Sequence, residues 1–539
     1  MSKIVIYFGI FMSIVSCSSK SEVDLIVFNG NIYTVNEGFD TIEAFAVYNG
    51  KFIDTGTTEQ IFSKYTALDI IDAQEQTIVP GLIDAHAHFM RLGTTMQEAN
   101  LVGTESYDEM IQRVIDFQKN KNLDFIRGRG WDQNDWEDKQ FPTKSKLDKL
   151  FPNTPVALTR VDGHAALFNQ AALDLGDITN NSFVEGGQII KEKGKLTGVL
   201  VDKAQGLVWR NWPKSTRADN IQALLAAQKE CFKYGLSTVN DAGVERGIIE
   251  LMDSLHKSGD LKIRIYAMVA GGDKDNLDYY LERGTSKTDQ LNIRSFKISA
   301  DGALGSRGAL LRKPYSDKHD TYGLPVTNMA YFNEAAQRIA LSDYQLNTHA
   351  IGDSANHSVL KTYTKVLQGT SDRRWKVEHA QVVSPSDFQY FKNIIPSIQP
   401  THATSDMYWA EERIGKDRMK GAYAYKKLLD IHGKVALGTD FPVEYVSPFY
   451  TFHAAVARQD GNNYPSGGFQ KYDALTREET LRGMTIWAAF SNFEENEKGS
   501  IENGKFADFV FLDKNIMEVD EKVIRDIKVT AIFVGGEKQ

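Results

Sequence analysis

From residue 81 to residue 440 the chain repeats one rhythm, in which a short apolar run is followed by a stretch with helical spacing. The runs are GLIDAHAHF (81–89), LSTVNDAG (236–243), KIRIYAMVA (262–270), IRSFKISAD (293–301), QLNTHA (345–350), RWKVEHA (374–380), IIPSIQ (394–399) and KVALGTD (434–440). Stretches such as ADNIQALLAAQKECFKYG, YFNEAAQRIALSDY and ANHSVLKTYTKVLQG separate most of them. In these, apolar residues recur three or four apart, as on one face of a helix. Short strands alternating with helices imply a parallel sheet, and eight such units close a (β/α)8 TIM barrel.

The gap between the first two runs, roughly residues 90–235, is far too long for one helix and predicts an insertion after strand one. It holds GRGWDQNDW, PVALTRVDGHAALFN and a hairpin pattern, GGQIIKEKGKLTGVLV. The flanks read differently. Residues 23–79 contain Asn-Gly at 29–30 and 49–50, each between strand-like runs, which is the strongest short hairpin signal. The C-terminal end, with GKFADFVFLDKN and VTAIFVGGE, reads the same way. We therefore expect a small β-sandwich domain built from both termini (23–79 plus 500–539), around a barrel domain spanning 80–499. Two separate β-appendages are the alternative.

The first 16 residues have a signal peptide's pattern: Lys3, an apolar run, then small residues. The run falls short of the about 20 apolar residues that a bilayer span needs. Ile14-Val15-Ser16-Cys17 resembles a bacterial lipobox. That resemblance implies an acylated Cys17, a tether over 17–22, and a lipid-anchored protein exported to the bacterial cell envelope, on the periplasmic or outer-membrane side. A plain secretory signal is the alternative. Cys231, the other cysteine, sits on an apolar helical face and is expected as a buried thiol, so no internal disulfide is expected. Net charge is −9 and no basic block occurs, which argues against a nucleic-acid partner.

Polar residues gather at the C-terminal ends of the apolar runs, the barrel face where active sites sit. His86 and His88 end strand one, Lys297 lies on strand four, His349 ends strand five, His379 ends strand six, and Asp440 ends strand eight. Residues i and i+2 of a strand share a face, so His86 and His88 can point together. Two inward imidazoles pack poorly but make a good pair of metal ligands. His256, His319, His357, His432 and His453 are read as packing or surface residues. Lys297 has two outcomes. A cationic lysine beside a divalent metal is electrostatically bad, so it is either carbamylated into an anionic ligand or turned outward towards a carboxylate such as Asp301.

PGLIDAHAHF, FKISADGALGSRGA, THAIGD, EHA and GTDFPV together resemble the motifs of the amidohydrolase superfamily, nearest its amidohydrolase-3 branch, which includes N-substituted formamide deformylases. The resemblance extends over essentially all of the chain after the N-terminal segment. It implies one or two divalent metal ions, zinc by expectation, held by His86, His88, Lys297, His349, His379 and Asp440. It makes Lys297 a carbamylated bridge and Asp440 the catalytic group that takes the proton from the attacking water. The reaction implied is hydrolysis of a non-peptide C–N bond in a small-molecule amide or cyclic amide.

Substrate contacts are expected from the insertion, through Trp131, Asp132, Asp162 and His164, and from the Gly-rich loop after strand four, through Asp301 and Arg307. DMYWAEERIG (406–415) is a candidate wall or lid. A homo-oligomer is left open. Two rival readings remain. One is a heterocycle deaminase on the same barrel, in which a glutamate follows the strand-five histidine by three residues, where this chain has Gly352. The other is a ligand-binding lipoprotein without turnover.

Overall fold

The computed structural model describes residues 20–539, apart from 120, 122, 161, 162, 164, 185, 186 and 369–371. Cys17, Asp162 and His164 lie outside the described residues.

Eight parallel strands line up in chain order: β1 (Leu82–Ala87), β2 (Leu236–Val244), β3 (Arg264–Ala270), β4 (Leu291–Ser299), β5 (Gln345–Ala350), β6 (Lys376–His379), β7 (Ile395–Ile398) and β8 (Ala436–Leu437). Every neighbouring pair along this order is parallel. All six residues of β1 are buried, as expected for a strand covered by helices outside and side chains inside. The ring closes just beyond the short β8. There the Asp440 N–H donates to the His86 carbonyl (2.8 Å) and the His88 N–H donates to the Phe441 carbonyl (2.8 Å). Gly438 permits this approach, because a Cβ at that position would lie 2.5 Å from the His86 backbone nitrogen.

The expected insertion appears as a six-stranded sheet between β1 and β2, with Val156–Arg160 and Ala165–Phe168 paired at its centre. The helix Phe89–Thr95 leads out to it, and the helix Arg217–Lys233 leads back. The returning helix starts on a capping box formed by Thr216 and Asp219 and buries Ala223, Leu224, Ala227 and Cys231. Cys231 is a free, fully buried thiol.

Both ends of the chain meet in one sheet, where Phe509–Leu512 lies antiparallel to Thr77–Pro80 with Phe511 opposite Ile78. A second, four-stranded sheet, formed by Ser21–Phe28, Ala44–Tyr48, Lys51–Gly56 and Tyr65–Asp72, shares a core with it. Phe45, Phe52, Phe509 and Phe533 fill the shared core, and the rings of Phe509 and Phe533 stack at 4.5 Å. This β-layer is tied to the barrel by charge as well as by packing. Arg264 on β3 donates through Nε (2.7 Å) and Nη2 (2.9 Å) to the two oxygens of Asp508, and both side chains are buried. Among the described residues, no helix is long and apolar enough to cross a membrane.

Candidate metal centre

The C-terminal ends of the barrel strands bring five histidines, a lysine and an aspartate together. Four of the imidazoles follow one rule. The Nδ1 of His86 lies 2.6 Å from Glu378 Oε2, and that of His88 lies 3.0 Å from the Ala242 carbonyl. The Nδ1 of His379 lies 2.7 Å from Gln399 Oε1, and that of His402 lies 3.1 Å from Glu444 Oε1. Each partner is an acceptor oxygen, so each Nδ1 carries a proton and each Nε2 faces the centre. Anchored imidazoles with free Nε2 atoms are the form that binds metal.

Asp440 sits among those atoms. Its Oδ1 is 3.3 Å from His88 Nε2 and 3.6 Å from His86 Nε2, while its Oδ2 is 3.2 Å from His402 Nε2. Burial disfavours its charge, but His402, His88, His86 and His379 together hold it well below the usual carboxylate range. Asp440 Oδ1 is buried and has no hydrogen-bond partner. Backbone geometry aims these groups. Asp440 (φ 64°) and His379 (φ 74°) are both in the left-handed region, a conformation that costs a non-glycine residue about 1–3 kcal/mol and clusters at functional sites.

Lys297 points inward from β4. Its Nζ lies 3.3 Å from His86 Nε2, and burial lowers its pKa against the opposing pull of Glu378 and Asp440. The outward pairing with Asp301 is not made. Instead, the Asp301 oxygens accept the backbone N–H groups of Leu310 (2.7 Å), Gly352 (2.9 Å) and Ile351 (3.0 Å). His349 Nε2, at the end of β5, is buried without a hydrogen-bond partner, 3.6 Å from Asp301 Oδ1. Burial, with Lys297 nearby, pushes His349 down to about 3, so its imidazole is neutral.

Two groups have ligand atoms that all lie within 4.8 Å of one another: His86, His88 and Asp440, and His379, His402 and Asp440. The donor set fits a divalent ion, since it offers imidazole nitrogens around a buried carboxylate oxygen without a hydrogen-bond partner.

Residues 69–538 match the amidohydrolase family. The chain belongs to that family. It is 32% identical to the protein LONG AFTER FAR-RED 3 of Arabidopsis thaliana, over 96% of this chain and 91% of that one. It is 25% identical to the N-substituted formamide deformylase of Arthrobacter pascens, over 95% and 97% of the two chains. Its fold matches an uncharacterized metal-dependent hydrolase from Pyrococcus furiosus with a TM-score of 0.78, at 26% identity, covering 92% of this chain and 100% of the other. This amidohydrolase is accordingly a metal-dependent hydrolase.

His402 was absent from the ligand set read from the sequence. It is the third residue of the helix Pro400–Asp406, which begins directly after β7. A proline opening a helix at the C-terminal end of a barrel strand was the available signal, because the first turn of such a helix stands at the mouth. Desolvation opposes the charge of the partly buried His402, but the carboxylates of Asp440 and Glu444 raise its pKa well above the usual histidine value.

Four of the residues expected to meet substrate, Trp131, Asp132, Asp301 and Arg307, are engaged within the protein. Trp131 is fully buried in the core of the inserted sheet, stacked on Trp136, with its indole N–H donating to the Leu158 carbonyl (2.7 Å). It has no surface to offer a ligand. Asp132 forms an ion pair with Arg160 of the same sheet. Asp301 is committed to backbone N–H groups and organises the loops after β4 and β5 rather than facing open space. Arg307 does not hold Asp301. It donates to Asp317 (2.7 Å), which also pairs with Arg413 of the 406–415 stretch. That stretch is therefore fastened to the loop after β4, with Trp409 packed against Gly305.

Proposed function

We propose that this amidohydrolase uses water to cleave a non-peptide C–N bond, in an amide or cyclic amide of a small molecule. The observation that supports this most is Asp440. It is a buried carboxylate kept ionised by surrounding imidazoles, with one oxygen unpaired. A group of that kind can receive a proton from an attacking water and return it to a leaving nitrogen.

The first metal is assigned to His86, His88 and Asp440, and the family pattern assigns a second to Lys297, His349 and His379, with zinc as the expected ion. A bound divalent ion supplies Lewis acidity, which acidifies water and polarises a carbonyl. The protein's own groups do the rest. Glu378, Ala242 and Gln399 hold the imidazoles of His86, His88 and His379 in one tautomer. The Asp440 carboxylate is the proton-accepting group. Lys297, whose pKa burial lowers, is the residue that carbamylation by carbon dioxide would convert into an anionic oxygen ligand. The N-terminal segment supports export and lipid attachment at Cys17.

The deaminase reading needs an acid three residues after His349. That residue is Gly352, and a Cβ there would lie 2.1 Å from the Leu310 carbonyl oxygen, so the position admits no acid side chain. The formamide-cleaving activity in the name of the Arthrobacter pascens relative is consistent with C–N hydrolysis here. The test is a panel of N-substituted formamides, N-acyl amines and cyclic amides given to zinc-loaded protein, with amine release measured by chromatography. Amine release from at least one amide is expected. Ammonia release from an amino-heterocycle, with every amide left intact, would sink the proposal.

A further inference from the structure

We propose that Asp84 is a positioning residue for the metal centre: through Thr439 it holds Asp440 in the backbone conformation that turns Oδ1 towards His86 and His88. This rests on the reading of Asp440 as metal ligand and proton acceptor, and adds to it a residue that touches neither metal nor substrate.

Asp84 shares a face of β1 with His86 and His88, because residues two apart on a strand point the same way. It is 2% exposed. A carboxylate at that depth needs hydrogen-bond donors, and Asp84 takes them from two strand ends. Its Oδ1 accepts the His86 N–H (3.1 Å) and the Thr439 N–H (3.1 Å). Its Oδ2 accepts the Thr439 hydroxyl (2.7 Å). Both oxygens are thus engaged, and Asp84 belongs to neither compact ligand group. It acts on the centre through its partners.

Thr439 carries the hold forward. Its Oγ1 also accepts the Phe441 N–H (3.0 Å), so one hydroxyl fixes the residues on either side of Asp440. Asp440 between them is left-handed, a conformation that persists only where the surroundings enforce it. The Asp440 N–H donates in turn to the His86 carbonyl (2.8 Å). His86 is therefore gripped at both of its backbone groups, by Asp84 at the N–H and by Asp440 at the carbonyl. Gly438 makes room for this grip, since a Cβ there would lie 2.9 Å from Asp84 Oδ1. The result ties a histidine ligand on β1 to the carboxylate that follows β8, and it sets the 3.3 Å approach of Asp440 Oδ1 to His88 Nε2.

The experiment reads the position of the Asp440 carboxylate without substrate. The variants are Asp84→Ala, Thr439→Val and Thr439→Ser, each checked for folding by circular dichroism. Thr439→Val keeps the branched shape and loses the hydroxyl, so it decides the matter if Asp84→Ala fails to fold. Cobalt(II)-loaded protein is compared by visible absorption with the parent and with Asp440→Asn, and metal-free crystals give the Asp440 position directly. We expect Asp84→Ala and Thr439→Val to move the cobalt bands from the parental pattern towards that of Asp440→Asn. Their crystals should show the carboxylate displaced by about 1 Å, a misplacement that can cost about 10²-fold in rate. Thr439→Ser keeps the hydroxyl and should match the parent in both measurements. A folded Thr439→Val variant with an unmoved Asp440 and the parental cobalt spectrum, or a Thr439→Ser variant displaced as far as Thr439→Val, would overturn the proposal. Because no substrate is involved, the outcome stands whether or not any amide is hydrolysed.

Discussion

Glu378 holds His86 from its Nδ1 side, so replacing it should weaken the metal centre. Its Oε2 lies 2.6 Å from His86 Nδ1, and both residues are fully buried. Burial opposes its charge, but His86, Lys376 and Lys297 hold it below the usual carboxylate range, so it is anionic. A charge-assisted bond of this kind contributes about 1.5–3 kcal/mol. It also keeps the His86 proton on Nδ1 and the Nε2 lone pair free for metal. Removing such an outer partner costs about 10–100-fold in metal affinity, or about 1.4–2.8 kcal/mol. Glu378→Gln keeps the shape and can still accept through its amide oxygen, so it should fall at the lower end of that range. Glu378→Ala should fall at the upper end. The assay is competition for zinc against a chromophoric chelator at fixed pH, with thermal melting to show that each variant folds. A folded Glu378→Ala variant with parental zinc affinity would show that Glu378 does not tune His86.

Three further outcomes are expected. Asp440→Asn should fold and lower the hydrolysis rate by at least about 10²–10⁴-fold, the usual worth of a positioned acid–base group; turnover close to the parental rate would remove Asp440 as the base. Arg264→Met leaves Asp508 buried without its partner and should destabilise the protein by about 3–5 kcal/mol, read as a lower denaturant midpoint, while an unchanged midpoint would show that packing alone joins the β-layer to the barrel. Mass spectrometry of protein from the membrane fraction should find a diacylglyceryl group on Cys17, and an unmodified N-terminus further along the chain would refute the anchor.

The barrel was legible because each strand is a buried apolar run that ends on a polar residue. QLNTHA was read at 345–350, and β5 spans Gln345–Ala350. KVALGTD, read over seven residues, forms regular ladder only at Ala436–Leu437, because beyond them the backbone turns in to meet β1 through Asp440 and Phe441. Strand-end positions made His86, His88, His349, His379 and Asp440 readable as one face. His402 was not readable that way, since it stands on a helix and its partner Glu444 arrives from the loop after β8. Trp131 lies near glycines in a stretch that looks like a loop, but the chain there forms a strand whose own sheet supplies a core for the indole. The pairing of Arg413 with Asp317 could not be seen either, because the two residues are 96 apart in the chain.

The central claim is that this centre adds water across a C–N bond. The most direct test follows an N-substituted formamide or acyl amine through the zinc-loaded protein in water labelled with oxygen-18. The account predicts labelled carboxylic acid and free amine in equal amounts, both abolished by a chelator and restored by zinc. Release of ammonia from an amino-heterocycle without any labelled acid from amides, or amide turnover indifferent to metal removal, would contradict it.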